Sequence, residues 1–262
     1  MPNIHPLALV DPTAELADDV TVGPYCLIEG GVKIGARTRL ESHSIVKTGT
    51  TLGEDNVIGH GAVLGAGPQD RKYAGEETFL KIGDRNVFRE YVTLHRATGE
   101  GNSTIVGDDN FIMAYSHVGH NGHLGNFITI ANSCALAGSV TVEDMVTIGG
   151  LVGIHQFCRV GKTAMIGGYT KINRDVPPFM LVDGLDQQVH DINAIGLRRI
   201  GVTSQQRQAL HKACKLIYKS NLGLTNALET VIREVPSTPE IEYLIEFERC
   251  RFNGKNGRGN QP

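Results

Sequence analysis

The stretch Val106–Ile130, VGDDNFIMAYSHVGHNGHLGNFITI, places an aliphatic residue at every sixth position: Val106, Ile112, Val118, Leu124 and Ile130. Between them stand Gly, Asn, Asp and His. The same register runs outward to Ile4 and Ile172. Of its 29 positions, 26 are aliphatic or Phe, where a 40% apolar composition gives about 12. The three exceptions, Asp70, Glu76 and Glu100, fall in two segments that read as inserted loops, about 65–81 and 95–105; the register resumes after each. A period of six drifts around a 3.6-residue helical turn, so helix is a poor reading. A short strand with one inward side chain, then a corner, then the same again, describes a coiled prism. Gly often follows the apolar position (Gly23, Gly35, Gly107, Gly125), and Asn recurs four residues after it (Asn56, Asn86, Asn110). Both tolerate positive φ, so these are the expected corner residues.

The pattern ends near Asp175-Val-Pro177-Pro178, where two prolines are expected to stop the strand ladder. The domains expected are 1–178, a β prism, and 190–262, a small α-helical C-terminal domain. In the latter, Thr203 or Ser204 caps a helix to Lys219 with Leu210, Ala213, Leu216 and Ile217 on one face. Thr225 opens a second helix to about Glu234. Thr238-Pro239 is an N-cap and N1 pair for a third, and Asn253–Pro262 reads as frayed.

The 262 residues carry 25 Lys and Arg against 28 Asp and Glu, a formal charge of −3 that does not point to nucleic acid. No stretch approaches the roughly 20 apolar residues of a transmembrane helix, and the N-terminus lacks the basic flank and apolar core of a secretory signal. Five scattered cysteines with no CxxC pair suit buried thiols in a reducing cytosol. A cytoplasmic location is expected.

The hexad series resembles the hexapeptide-repeat acyltransferases, whose fold is a left-handed parallel β-helix with three hexads to each triangular coil. The handedness comes from that resemblance. Residues 18 apart should then be neighbours on adjacent coils, about 4.8 Å apart. Gly138 falls one coil after His120, and Gln156 one coil further. A glycine N–H beside an imidazole is an oxyanion donor next to a base. His117 lies on the same coil as His120, Asp70 in the first inserted loop, and His95 at the start of the second. His117, His120 and His123 also suggest a metal site. His117 and His123 sit six apart on successive faces, so convergence on a metal would need a second subunit, as in hexapeptide-repeat carbonic anhydrases.

Longer segments narrow the resemblance. Gly67-Pro-Gln-Asp70-Arg-Lys72-Tyr-Ala-Gly-Glu76, the run Ile82 to Arg96, His117-Val-Gly-His120, Gly153-Ile-His155-Gln156-Phe-Cys158 and Asp175-Val-Pro-Pro178 are similar to the UDP-N-acetylglucosamine O-acyltransferases of lipid A biosynthesis over almost the whole chain. The resemblance implies transfer of an (R)-3-hydroxyacyl chain from acyl carrier protein to the 3-hydroxyl of the UDP-sugar by a homotrimer. It implies His120 as general base and Gly138 as backbone oxyanion donor. Asp70, Lys72, His95, His117, His155 and Gln156 match positions lining a cleft between two subunits, and Asn193 and Arg199 match contacts near the nucleotide. Gly168 matches the position that limits acyl-chain length, glycine implying a longer chain. No metal or bound cofactor is implied, since the phosphopantetheine arm arrives on the carrier protein. Arg198, Arg199, Lys212, Lys215, Lys219, Arg159, Lys162 and Lys171 are candidates for docking that acidic protein. Three residues depart from the family pattern: Asn121 stands where Asp often follows the base, Ser139 replaces a histidine that contacts the sugar, and Ile200 replaces the second of a basic pair. N-acylation of a related UDP-amino sugar, acetyl transfer from coenzyme A and a metal-bearing, carbonic anhydrase-like protein are the alternatives.

Overall fold

The structure, a computed structural model, describes residues 1–252 and 258. The expected fraying of 253–262 lies, Arg258 apart, outside the described residues. The hexads form two-residue strands that wind into a left-handed, three-faced parallel β-helix. Its first face begins with Asn3–Ile4 and Thr21–Val22, its second with Leu9–Val10 and Leu27–Ile28, its third with Glu15–Leu16 and Lys33–Ile34. Pairing follows the 18-residue ruler, as in Thr21↔Arg39 and His117↔Ala135↔Gly153. Val57 pairs with Val87 and Val87 with Phe111, so the first loop inserts two extra hexads and the second one.

The second residue of each two-residue strand points inward. From Val22 to Ile172 these side chains are buried, and each contributes on the order of 1.5–3 kcal/mol relative to exposure. Ile4, on the first coil, is 39% exposed because no coil lies below it.

The corners differ from expectation. Left-handed backbone falls on Arg37, Asp55, Arg85, Tyr91, Asp109, Tyr115, Asn121 and Ser139, among others, rather than on the recurrent Gly and Asn. Those glycines serve close approach instead. A Cβ on Gly107 would stand 2.7 Å from the Gly125 carbonyl oxygen and 2.4 Å from Asn126 Oδ1. Asn56, Asn86 and Asn110 are buried rungs of an amide ladder. Each Nδ2 donates to a carbonyl of the next coil, and Asn56 Oδ1 accepts from the Asn86 N–H at 2.9 Å.

The strand ladder does not stop at Pro177-Pro178. Met180–Asp183 joins the first face in parallel beside Met165–Ile166, and Gln188–Ile192 closes that face antiparallel. The prolines fall in the bend before the new strand, where no ladder donor is needed. Four helices follow: α1 (Ala194–Arg199), α2 (Ser204–Tyr218), α3 (Leu224–Glu234) and α4 (Pro239–Phe252). Thr203 and Gln206 form a reciprocal capping box at α2, and Thr238 Oγ1 accepts the Ile241 N–H at α4. Helix α1 has no sequence-level forecast; Asn193 caps it by accepting the Gly196 N–H at 3.0 Å. Helix α4 docks on late coils. Tyr243 donates to Glu143 at 2.6 Å, and the Arg159 guanidinium lies 3.8 Å from the Phe247 ring centroid. No helix among the described residues is long and apolar enough to cross a membrane.

Candidate active site

Coil stacking on the second face and at the corner between the second and third faces assembles a cleft of about 520 Å³. His117, His120, Gly138, His155 and Gln156 line it, with Gln69 from the first inserted loop and Lys171 from a late coil. The Ser139 N–H donates to the His120 carbonyl at 2.8 Å, and the Phe157 N–H to that of Gly138 at 3.3 Å. His120, Gly138 and Gln156 are therefore successive rungs of one corner. A Cβ on Gly138 would lie 2.4 Å from His120 Nε2, so only glycine lets the imidazole stand over this backbone. The Gly138 N–H meets no acceptor among the described residues.

Asn121 fixes which ring nitrogen can act. Its Oδ1 accepts the Thr98 N–H at 3.0 Å, and its Nδ2 donates to the Thr98 carbonyl at 3.0 Å. Flipping the amide would set donor against donor and acceptor against acceptor. The oxygen therefore faces His120 Nδ1, 2.8 Å away, and Nδ1 must carry the proton. In the neutral ring the lone pair then falls on Nε2, on the Gly138 side.

Two neighbouring histidines, His95 and His117, are shifted toward the neutral form. His95 is 7% exposed, its ring 4.8 Å from that of His117 at 90°. Burial, and then repulsion from His117, pushes its pKa down to about 4. His117 shifts down for the same first reason, and its Nδ1 lies 2.8 Å from Thr93 Oγ1. A neutral pair avoids placing a fixed cation beside His120. His123 lies on the third face, away from the cleft lining, so His117, His120 and His123 do not converge within one chain. Among the described residues, no three His, Cys, Asp or Glu side chains are grouped to hold a metal.

The remaining candidates lie elsewhere. Asp70 and Lys72 stand in the first loop, where Asp70 Oδ1 accepts the Lys72 N–H at 3.0 Å. Asn193 is spent on the α1 cap and the Thr163 carbonyl, and Arg199 closes that short helix. Gly168 occupies a corner between the first and second faces, where a Cβ would meet the Gly150 carbonyl oxygen at 3.3 Å. One chain does not bring these five residues to the cleft lining. Of the proposed carrier-docking cations, Arg159 stacks on Phe247 and its side chain is 16% exposed, while Lys162 lies 4.1 Å from the Tyr243 ring centroid. Both are occupied in holding α4. Gln69 carries no sequence signal of its own, because it falls outside the hexad series beside Asp70 and Lys72.

Comparison with known proteins gives one consistent family. A model described as UDP-N-acetylglucosamine O-acyltransferase, domain 2, matches residues 175–259. An acyl-[acyl-carrier-protein]–UDP-N-acetylglucosamine O-acyltransferase of Alkalilimnicola ehrlichii is 50% identical over 94% of the chain and 96% of that protein. Its counterpart in Thermodesulfovibrio yellowstonii is 45% identical over 97% and 99%. The crystal structure of a UDP-N-acetylglucosamine acyltransferase from Bacteroides fragilis superposes with a TM-score of 0.93 at 38% identity, covering 99% of this chain and all of that one.

Proposed function

The chain belongs to the acyl-[acyl-carrier-protein]–UDP-N-acetylglucosamine O-acyltransferase family, and on that premise we propose that it moves an (R)-3-hydroxyacyl chain from acyl carrier protein to the 3-hydroxyl of UDP-N-acetylglucosamine, opening lipid A biosynthesis in the cytoplasm. One observation carries the assignment of roles: His120 Nε2, the ring nitrogen turned away from Asn121, stands over Gly138, whose N–H is open. His120 removes the proton from the sugar hydroxyl as its oxygen attacks the thioester carbonyl. The Gly138 N–H receives the developing oxyanion. The C–S bond then breaks, and the proton on Nε2 passes to the departing phosphopantetheine thiolate. The balance needs no metal or resident cofactor.

The assembly we propose is a homotrimer. The outward side chains of the early second face, Leu9, Leu27, Ile45 and Val63, are apolar, and Leu9 is 69% exposed in the isolated chain. An apolar stripe on a rigid face suits burial against a second copy. Such a neighbour would also bring Asp70, Lys72, Asn193, Arg199 and Gly168 toward a cleft their own chain leaves without them.

The test is incubation with UDP-N-acetylglucosamine and 3-hydroxyacyl carrier proteins of several chain lengths. The expected product is the mono-acylated UDP-sugar, with its acyl group released by mild base as an ester requires. His120→Ala should lose roughly 10²- to 10⁴-fold in kcat while keeping its assembly state. A variant retaining near-normal turnover would remove His120 from the mechanism, and a base-stable product would make the reaction an N-acylation.

A further inference from the structure

Glu76 breaks the hexad series, lies in the first inserted loop and touches nothing in the cleft, yet its bonds lead to the base. Its Oε2 accepts the Ala74 N–H at 2.8 Å and closes its own loop. Its Oε1 reaches the second inserted loop, accepting the Gly99 N–H at 2.8 Å and the Thr98 hydroxyl at 3.2 Å. Gly99 takes φ +87°, a left-handed turn, and its N–H meets the carboxylate there. The Gly99 N–H, the largest influence, and the Ala74 N–H hold the Glu76 pKa down to about 2, so the group is anionic at neutral pH.

Thr98 is the hinge of the chain. Its hydroxyl points to Glu76 and its backbone to Asn121 through the two amide bonds that set the Asn121 orientation. Asn121 in turn faces His120 Nδ1. Without a hold on Thr98 from the loop side, the Asn121 amide loses the reason to keep oxygen, rather than nitrogen, toward the imidazole. We propose that Glu76 is a positioning residue for His120, acting through Thr98 and Asn121 to fix the ring's tautomer and direction. This rests on His120 being the base. The loops have a second, independent clasp, since Arg96 donates to the Gly65 carbonyl at 3.1 Å and to the Tyr73 hydroxyl at 3.0 Å. Loss of the carboxylate should therefore disturb the base more than the fold.

The experiment is a double-mutant cycle in the acyl-transfer assay, using Glu76→Ala, Asn121→Ala, their combination, Glu76→Gln and His120→Ala. Glu76→Ala should lower kcat on the order of tenfold to a hundredfold, the scale of a misdirected catalytic group. Glu76→Gln keeps an oxygen toward Thr98 and Gly99 and should recover most of that loss. The double variant should fall no further than the slower single one, because both break the same chain. Multiplying losses, or an effect confined to the KM for the UDP-sugar, would mean that Glu76 serves only the substrate-facing loop, and would overturn the coupling. The Gln variant guards against a folding artefact in the Ala variant: full loss in both, with the trimer intact, also overturns the role. Near-normal turnover in His120→Ala would overturn the base assignment itself, an outcome distinct from additive losses alongside an inactive His120 variant.

Discussion

Two corners of the same prism share a backbone and differ in what closes it. Between the third and first faces, four successive corner N–H groups are each taken by a side chain of the next coil. Glu54 N–H donates to Asp84, Asp84 N–H to Asp108, Asp108 N–H to Asn126 and Asn126 N–H to Asp144, all at 2.7–2.8 Å. Between the second and third faces the equivalent rungs are His120, Gly138 and Gln156. There the accepting positions hold no side chain at Gly138 and an amide that makes no such bond at Gln156. The first corner is a closed ladder. The second leaves donors unpaired, and an unpaired donor beside an imidazole is what the proposed acyl transfer needs. The difference between structure and site is the identity of the residue one coil up, with no change of fold.

The sharpest way to break the contrast is to close the open corner. Gln156→Asp should place a carboxylate where Asp144 stands on the other corner, accepting the Gly138 N–H. It should cost roughly 10²- to 10³-fold in kcat, the usual effect of losing one oxyanion donor, without lowering the melting temperature. Gln156→Ala leaves the N–H open and should lose much less. Equal losses in the two variants would show that Gln156 matters for its own contacts, and the capped-donor argument would fail.

The sequence makes one of these corners readable and hides the other. The inward series is legible because burying one aliphatic side chain per hexad is a strict repeat. The 18-residue spacing likewise carries His120, Gly138 and Gln156 to one edge. The Gly-x-x-Asn recurrence is misleading: it resembles turn chemistry, but its glycines make room for a neighbouring Asp or Asn side-chain oxygen and its asparagines bond backbone carbonyls. The left-handed positions hold Arg, Tyr, Asp and Phe, because the coil imposes that conformation against local preference. The Glu76–Thr98–Asn121 chain is invisible to any period, since it crosses two loops that interrupt the register. Asn193 shows a competing demand, its side chain engaged in a helix cap that no family motif signals.

A middle-sized effect separates the corners by charge. Arg85 and Asp109 are ionised and half-solvated, whereas His95 is buried and neutral. The unfolded chain protonates this histidine near its ordinary value of 6.5, the folded chain only near 4. Between those values the unfolded state binds more protons, so stability is present above pH 6.5 and is lost as pH falls toward 4. His95→Gln should flatten the decline in melting temperature across that window, by up to about 3 kcal/mol in the underlying free energy. An unchanged pH profile would mean that His95 is already charged in the fold.

The smallest effect belongs to the closed corner. Arg85 holds Asp109 through two bonds of 2.8 Å while its side chain is 49% exposed, so solvent screens the pair and its contribution to stability is small. Its backbone sits at φ +56°, where any residue but glycine is strained by roughly 1–2 kcal/mol. Arg85→Ala removes the pair and keeps the strain, so calorimetry at fixed protein concentration should find a melting temperature lower by about 2–4 °C. Arg85→Gly removes both and should melt close to the parent. Neither variant should change kcat, because the nearest rungs bond one another rather than the cleft. If Arg85→Gly instead lost several degrees, the ion pairs rather than the stacked backbone would be holding that corner, and the likeness of the two corners would end at their torsion angles.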